Sequence, residues 1–301
     1  MSNDAFDVDA WFRRIGYSGP RDPSLPTLRA VIEAHTATIP FENIDVLLGR
    51  TPRLDLRSLQ DKLIASERGG YCFEQNTLLH SGLTALGFQV TRLLARVIRG
   101  MAADASGPAT HMLLRVDLPE GPYLADVGFG NQTPTAPLKF RPMEEQRTPH
   151  DVMRLFPVGD ELTLQARIGQ ARIGQARIGQ AEIEPDGDWQ SIYRLSPHPR
   201  LPVDFEVANW FTATHPASPF VSHLIVARPG RDATRHTLFN GRVTVRGPEG
   251  RVERFTLDRE AEFPEALKDR FGVTLNGGDL AEALAILDRK GTRDAQHPFF
   301  G

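Results

Sequence analysis

The chain contains a single cysteine, Cys72, within Arg68-Gly69-Gly70-Tyr71-Cys72-Phe73-Glu74-Gln75-Asn76. A thiolate is both a nucleophile and a metal ligand, and one cysteine is too few for a thiolate-rich metal site or an intramolecular disulfide. Nucleophilic chemistry is therefore the first function to weigh. The two glycines let the backbone turn sharply, so Cys72 falls in the first turn of the helix that follows. Unpaired N–H groups and the helix dipole favour an anion there, and the backbone N–H of Cys72 is a candidate oxyanion donor. A buried, inert thiol is the competing reading of a lone cysteine.

A nucleophilic cysteine needs a base, and the base needs an orienting group. Of the nine histidines, His111 stands out because it opens the strand-like run Thr110-His111-Met112-Leu113-Leu114. Asp126 closes the next run, Tyr123-Leu124-Ala125-Asp126-Val127-Gly128. A carboxylate among apolar strand residues is costly unless it has a partner, and an imidazole is a natural one. A satisfied core histidine and a structural turn carboxylate are the competing readings. Pro119-Glu120-Gly121 separates the two runs and reads as a hairpin turn. A loop at Pro119-Glu120 sets Asp126 opposite Leu113, two residues from His111; a loop at Glu120-Gly121 sets it opposite Arg115. The sequence leaves both registers open.

Stepping outward, the first 88 residues read as helical. One helix covers 25–37 and stops at Pro40. A second covers 58–67, with Ser58 and Asp61 at capping-box spacing and Gly69-Gly70 as its stop. The third starts near Cys72, carries Leu79, Leu83 and Leu86 on one face, and places Gly87 at its C′ position. Short runs of period two then take over, over 88–99, 111–118 and 122–128, with more strands to about residue 195. Ala166-Arg167-Ile168-Gly169-Gln170 recurs at 171–175 and 176–180. Three five-residue copies are too few for a solenoid and swap strand faces at each copy, so the repeat reads as an expanded loop or hairpin extension. Residues 196–202 read as a linker. Beyond it lie a hairpin over 238–246, turning at Asn240-Gly241, and helices over 261–270 and 279–290.

Composition narrows the class. With 40% hydrophobic and 24% charged residues, the chain reads as an ordinary globular protein. A net charge of −3 recruits neither nucleic acid nor an anionic membrane. The acidic start, Met1 to Asp7, lacks an apolar signal core, and no window approaches the ~18 apolar residues of a membrane helix. The expected compartment is a reducing cytoplasm. Neither metal-ligand spacing nor a Gly-x-x-x-x-Gly-Lys-Ser/Thr phosphate loop appears.

Five stretches together resemble the arylamine N-acetyltransferase family. They are Pro40-Phe41-Glu42-Asn43; the 68–76 segment around Cys72; Thr110-His111-Met112; Asp126-Val127-Gly128-Phe129-Gly130 with Pro134 and Pro137-Leu138; and Asn209-Trp210-Phe211 with His215-Pro216 and Ser218-Pro219-Phe220. The likeness runs from about residue 7 to 290. It implies an α+β fold with an N-terminal helical bundle, a central β-barrel and a C-terminal α/β lid around a cysteine-protease-like Cys-His-Asp core. The corresponding spans are 1–88, carrying the nucleophile, 89–200, carrying His and Asp, and 201–301, in line with the pattern shifts near 88 and 200. The repeat departs from the family pattern.

The resemblance further implies that Cys72, His111 and Asp126 form a catalytic triad. It places Phe41, Val97 and Phe129 at an acceptor cleft, and Thr110, Gly128 and Gly130 where CoA approaches. Arg68 and Glu42 are expected to form a structural ion pair. The implied reaction is ping-pong: Cys72 takes an acetyl group from acetyl-CoA and passes it to an arylamine, arylhydrazine or arylhydroxylamine. No metal, nucleic acid or membrane enters this reading, and the sequence does not give an oligomeric state. Alternatives with the same triad are a cysteine hydrolase or an amide synthase; a non-enzymatic binding module on the same scaffold is a further one.

Overall fold

Helices form in the N-terminal third where the sequence supplies caps and stops. In the computed structural model, which describes residues 5–101, 107–167, 189–248, 251–257 and 259–293, α1 (Val8–Ile15) starts at Asp7, whose carboxylate accepts from the Ala10 N–H. Left-handed Gly16 ends it. The helix α2 (Leu25–Thr38) matches the expected 25–37 span. It is followed by a two-residue strand, β1 (Phe41–Glu42), and the single turn α3 (Ile44–Leu47). The next helix, α4 (Leu56–Leu59), continues as a π-helical turn, Gln60–Ala65. Its cap is Asp55, accepting from the Ser58 N–H, rather than Ser58 itself. It also ends earlier than expected, because Glu67 takes a positive φ of 51° before the glycine pair is reached.

The glycine pair has a different task from the one expected. Neither Gly69 nor Gly70 has a positive φ. A Cβ on Gly69 would lie 2.3 Å from the Pro40 carbonyl oxygen, and one on Gly70 would lie 2.7 Å from Glu74 Oε2. These residues are glycine because the Pro40 carbonyl and the buried Glu42 and Glu74 side chains press against them. They feed α5 (Cys72–Ala85), with Gly87 left-handed at 88° beyond its end, as expected.

The middle of the chain forms β2 (Gln89–Val97), β3 (His111–Leu118), β4 (Gly121–Ala125), β5 (Leu138–Lys139), β6 (Gln146–Arg147), β7 (Val152–Val158), β8 (Glu161–Arg167) and β9 (Trp189–Leu195). They make one antiparallel sheet in the order β5-β4-β3-β2-β9-β8-β7-β6. The Gln146 side chain spans its two edge strands, accepting from the Lys139 N–H at 2.7 Å and donating to the Lys139 carbonyl at 3.0 Å. The sheet thus nearly closes into a barrel. Alternation along β3 serves two cores. Met112, Leu114 and Val116 pack with the N-terminal helices, whereas Leu113 joins Leu93, Ala95, Tyr193 and Leu195 inside the barrel. The repeat lies outside the described residues except for Ala166 and Arg167, which end β8.

The C-terminal part opens with α6 (Pro202–Thr214), so the expected linker ends where this helix begins. The strands β10 (Ile225–Pro229), β11 (Arg235–Phe239), β12 (Arg242–Arg246) and β13 (Val252–Thr256) follow. The expected Asn240-Gly241 turn joins β11 to β12, with Asn240 at φ 54°. The first closing helix, α7 (Phe263–Ala266), runs into a π turn, Leu267–Phe271. The second is α8 (Gly277–Arg289). The fold is α+β: an N-terminal helical bundle, a central barrel-like sheet and a C-terminal α/β layer. The all-helical reading of the first 88 residues needs one correction: β1 pairs with β10, Phe41 opposite Ala227 and Glu42 opposite Val226. A two-residue strand is too short to show period two, and its partner is distant in sequence.

One buried group ties this fold to pH. His35 on α2 is fully buried, and its Nε2 lies 3.2 Å from Gln75 Oε1 on α5. Burial holds its pKa down to about 3, against the opposing Gln75 bond. The unfolded chain takes up a proton below pH ~6.5 that the native state refuses until about pH 3. Stability is therefore unaffected by this residue above pH ~6.5 and falls as pH drops. By pH 5 the loss is roughly 2 kcal/mol. Urea unfolding of wild type and His35→Leu at pH 7 and pH 5 checks this. The variant should lose roughly 2 kcal/mol less than wild type over that interval.

Candidate active site

The hairpin register settles where Asp126 sits. Leu118 pairs with Gly121 and Leu114 with Ala125, a two-residue loop at Pro119-Glu120 that sets Asp126 opposite Leu113. Just past the end of β4, the Asp126 carboxylate is completely buried. Its Oδ2 lies 2.7 Å from His111 Nε2 and accepts from the Tyr193 hydroxyl at 3.0 Å. Its Oδ1 accepts from Asn76 Nδ2 and from the Gly128 N–H, both at 2.9 Å. The Thr133 hydroxyl also donates to the Asp126 carbonyl, pinning the loop. Burial alone would raise the Asp126 pKa; His111 above all, then Asn76 and Gly128, bring it below the ordinary carboxylate value.

His111 answers in kind. Burial pushes its pKa down, but the Asp126 charge and hydrogen bond outweigh burial, and an interaction with Cys72 adds to them, lifting it to about 10. With Nε2 committed to Asp126, Nδ1 is the nitrogen left for Cys72. The Phe129 and Tyr193 rings flank the imidazole, with centroids 5.0 and 4.8 Å away.

Cys72 is the first residue of α5 and is nearly buried. Its Sγ lies 3.7 Å from the Thr110 carbonyl oxygen, the residue before His111. A network of charges holds the helix start from below. Glu74 Oε2 accepts from the Tyr71 N–H at 3.1 Å, while its Oε1 meets Lys62 Nζ at 2.8 Å. Lys62 also pairs with Asp45 at 2.6 Å, and the expected Arg68–Glu42 pair is present at 2.7 Å. Burial raises the Glu74 pKa, and Lys62 opposes that rise. Glu42 Oε2 further accepts from the Ile44 N–H, which locks the turn after β1.

A cavity of about 710 Å³ opens onto Cys72 and His111, a size typical of small-molecule sites. Of the residues expected at the acceptor cleft, Phe41, Val97 and Phe129 all line it; of those expected near CoA, Thr110 and Gly128 do. Gly130 does not line it. It is left-handed at φ 89° and stands behind Phe41, where an added Cβ would sit 3.4 Å from the ring. The sequence reading assigned no site role to Arg99, Asn131, Phe211, His215, Phe220 or His223, which also line the cavity. Phe211, His215 and Phe220 lay within the motif that carried the resemblance, so a signal existed for them. Arg99 and Asn131 had none. Their side chains meet only in the fold, Arg99 Nη1 donating to Asn131 Oδ1 at 3.1 Å. Tyr193 and Asn76 were likewise missed as partners of Asp126.

Among the described residues there is no group of three or more His, Cys, Asp or Glu placed to hold a metal ion, and no helix long and apolar enough to cross a membrane.

Known proteins match this chain over nearly its full length. A sequence-family profile described as N-acetyltransferase matches residues 24–280. The arylamine N-acetyltransferase of Mycolicibacterium smegmatis is 41% identical over 282 residues, 92% of this chain and 94% of the relative. A solved structure of the M. smegmatis arylamine N-acetyltransferase superposes with a TM-score of 0.84 at 37% identity, covering 97% of this chain and 100% of the other. The Mycobacterium marinum arylamine N-acetyltransferase, solved in complex with CoA, superposes with a TM-score of 0.80 at 36% identity, covering 94% and 98%.

Gly128 offers a direct test of how tightly the site is assembled. A Cβ there would lie 2.6 Å from the Cys72 Cα and 2.9 Å from Asn76 Nδ2. Backbone cannot yield as a flexible side chain can, so Gly128→Ala must push α5 away from the loop that carries Asp126. The variant should fold and lose roughly 10-fold in the rate at which iodoacetamide alkylates Cys72 at pH 7, since the thiolate is the reacting form and a cysteine without a paired imidazole is only about 3% thiolate at that pH. Circular dichroism and the alkylation rate measure the two properties separately.

Proposed function

Because the chain belongs to the arylamine N-acetyltransferase family, we propose that it carries an acetyl group from acetyl-CoA to an aromatic acceptor through an acetyl-cysteine. The acceptors are arylamines, arylhydrazines and arylhydroxylamines. The observation that carries this reading is the buried, four-donor Asp126 carboxylate, 2.7 Å from an imidazole at the head of the helix bearing the one cysteine.

The residues act in sequence. His111, positively charged and held by Asp126, keeps Cys72 as a thiolate. Cys72 Sγ attacks the acetyl carbonyl carbon; the S–C bond forms, the bond to the CoA sulfur breaks, and CoA leaves as the thiol with the proton from His111. The neutral imidazole then accepts a proton from the acceptor nitrogen as that nitrogen attacks the acetyl-cysteine. The amide forms, Cys72 is released as thiolate, and the imidazolium is restored. Asp126 fixes the ring tautomer and balances its charge in both halves. The Cys72 N–H, at the first position of α5, is the proposed oxyanion donor.

The cavity suits both substrates in turn. Phe41, Val97 and Phe129 give a largely apolar wall for an aromatic ring, and Thr110 and Gly128 stand at the approach to Cys72 for the thioester arm, with Gly130 backing Phe41. Within the proposal, residues 1–88 supply the nucleophile, 89–200 the base and carboxylate, and 201–301 the lid over the cavity. The reaction is placed in the cytoplasm.

Acetyl-CoA without acceptor should add one acetyl mass to the wild-type protein, on Cys72, and none to Cys72→Ala; mass spectrometry of the intact chain and its peptides reads this directly. An adduct that decays equally fast with and without an aromatic amine would favour the hydrolase instead. Asp126→Asn should keep the fold but slow turnover by roughly 10⁴-fold, as in other triads whose imidazole loses its orienting carboxylate.

A further inference from the structure

Asp126 is held from several sides, and one of its partners also controls where the nucleophile stands. His111 approaches from β3, Tyr193 from β9 and the Gly128 N–H from its own loop. The fourth donor is Asn76 on α5, four residues after Cys72 and so on the same face of that helix.

The Asn76 amide uses all of its main capacity. One Nδ2 proton goes to Asp126 Oδ1 at 2.9 Å and the other to the Met112 carbonyl at 2.7 Å. Its Oδ1 accepts from the Val127 N–H at 3.1 Å. A reversed amide would set its oxygen against a carboxylate and a carbonyl, so the partners themselves fix its orientation. Met112 is the residue after His111, and Val127 the residue after Asp126. A single side chain therefore grips the backbone beside the base, the backbone beside the carboxylate, and the carboxylate itself. Asn76 is completely buried, so water does not substitute for any of the three. Glycine at 128 is the complementary feature, letting the loop rest on the Cys72 Cα.

We propose that Asn76 is a positioning residue that sets the spacing between Cys72 and the His111–Asp126 pair, so that the helix bearing the nucleophile and the carboxylate that charges the base move as one unit. The inference rests on the triad reading above and adds to it a residue that touches neither substrate nor sulfur. A merely structural Asn76 would contribute stability only. A positioning Asn76 also controls the thiolate–imidazolium pair, because without it Asp126 loses one of its two donors to Oδ1 and the backbone at Met112 and Val127 loses its tie to α5.

The test uses Asn76→Ser, which is too short to reach Asp126, and Asn76→Ala, each confirmed as folded by circular dichroism. Two readouts are taken: the pH profile of Cys72 alkylation by iodoacetamide, and the rate of Cys72 acetylation by acetyl-CoA without acceptor, followed by mass spectrometry. The expected result in a folded variant is an alkylation profile that no longer overlays that of wild type, slower at neutral pH, and acetylation slower by roughly 10- to 100-fold. A folded variant of reduced thermal stability whose profile and acetylation rate overlay those of wild type overturns the proposal. The wild-type arm separates the two levels. If wild type forms no acetyl adduct, the triad reading fails; if it does and the folded variants match it, the Asn76 inference alone fails.

Discussion

An ionised carboxylate with no access to water is the constraint around which this molecule is arranged. Removing such an ion from solvent costs several kcal/mol even after relaxation, and Asp126 is fully buried. It stays charged because four donors converge on its two oxygens. Those donors come from β3, β9, α5 and the loop after β4. The sheet order brings β9 next to β2 and β2 next to β3, and Met112 packs β3 against the helical bundle. Sheet and bundle therefore have to be in register before the charge is satisfied. The same requirement places His111 between Asp126 and Cys72, so one electrostatic demand builds the site and checks the fold.

A second charge cluster, in which Glu42 and Glu74 are buried and Asp45, Lys62 and Arg68 partly so, lies under the nucleophile and does a different job. Glu42, Asp45 and Glu74 face Lys62 and Arg68. Buried ion pairs of this kind add little net stability over a well-packed apolar cluster of the same shape. Their value here is geometric. Glu74 joins the Tyr71 N–H to Lys62, and Glu42 joins Arg68 to the Ile44 N–H. Between those anchors runs the backbone 68–72, too close to Pro40 and Glu74 for any side chain at 69 or 70. The head of α5 is thus held from below by charge and from above by the Asp126 loop, and the sulfur has little freedom between them.

The sequence was informative wherever local chemistry decided the outcome. Cys72 at a helix start, Gly87 at its end, Asn240-Gly241 at a hairpin and the strand runs after residue 88 all follow from period, cap or turn preferences, and the structure agrees with each. His111 and Asp126 could be nominated as types and positions, but their contact hung on a one-residue choice of turn that Pro119-Glu120-Gly121 left open. What stayed hidden is long-range by nature. Strand β1 is only two residues long, and its ladder partner lies more than 180 residues away. Asp55 took the capping role from Ser58 because the helix begins two residues earlier than the apolar pattern suggested. Tyr193 and Arg99 acquire their contacts only when the sheet curls, and nothing in their own neighbourhoods announces it.

The cavity wall shows the same logic on a larger scale. Its residues come from β1, from the ends of β2 and β3, from the loop after Asp126, and from α6 and the 215–223 segment. Two asparagines join the last of these to the segments that flank the nucleophile. Asn43, just after β1, donates to the carbonyls of Phe220 and His223 and accepts from the Ile225 N–H. Asn209 on α6 accepts from the Tyr71 hydroxyl, next to Cys72, and donates to the Pro52 carbonyl. Both asparagines are buried, so pulling α6 and the 215–223 segment away from the nucleophile would break several hydrogen bonds at once. The fold therefore favours a preformed cavity over one assembled at each turnover. For the proposed reaction that matters: two unlike substrates must visit the same sulfur in turn, and a fixed cavity lets the first leave as the thiol before the second arrives, with no rearrangement of the carboxylate that orients the imidazole.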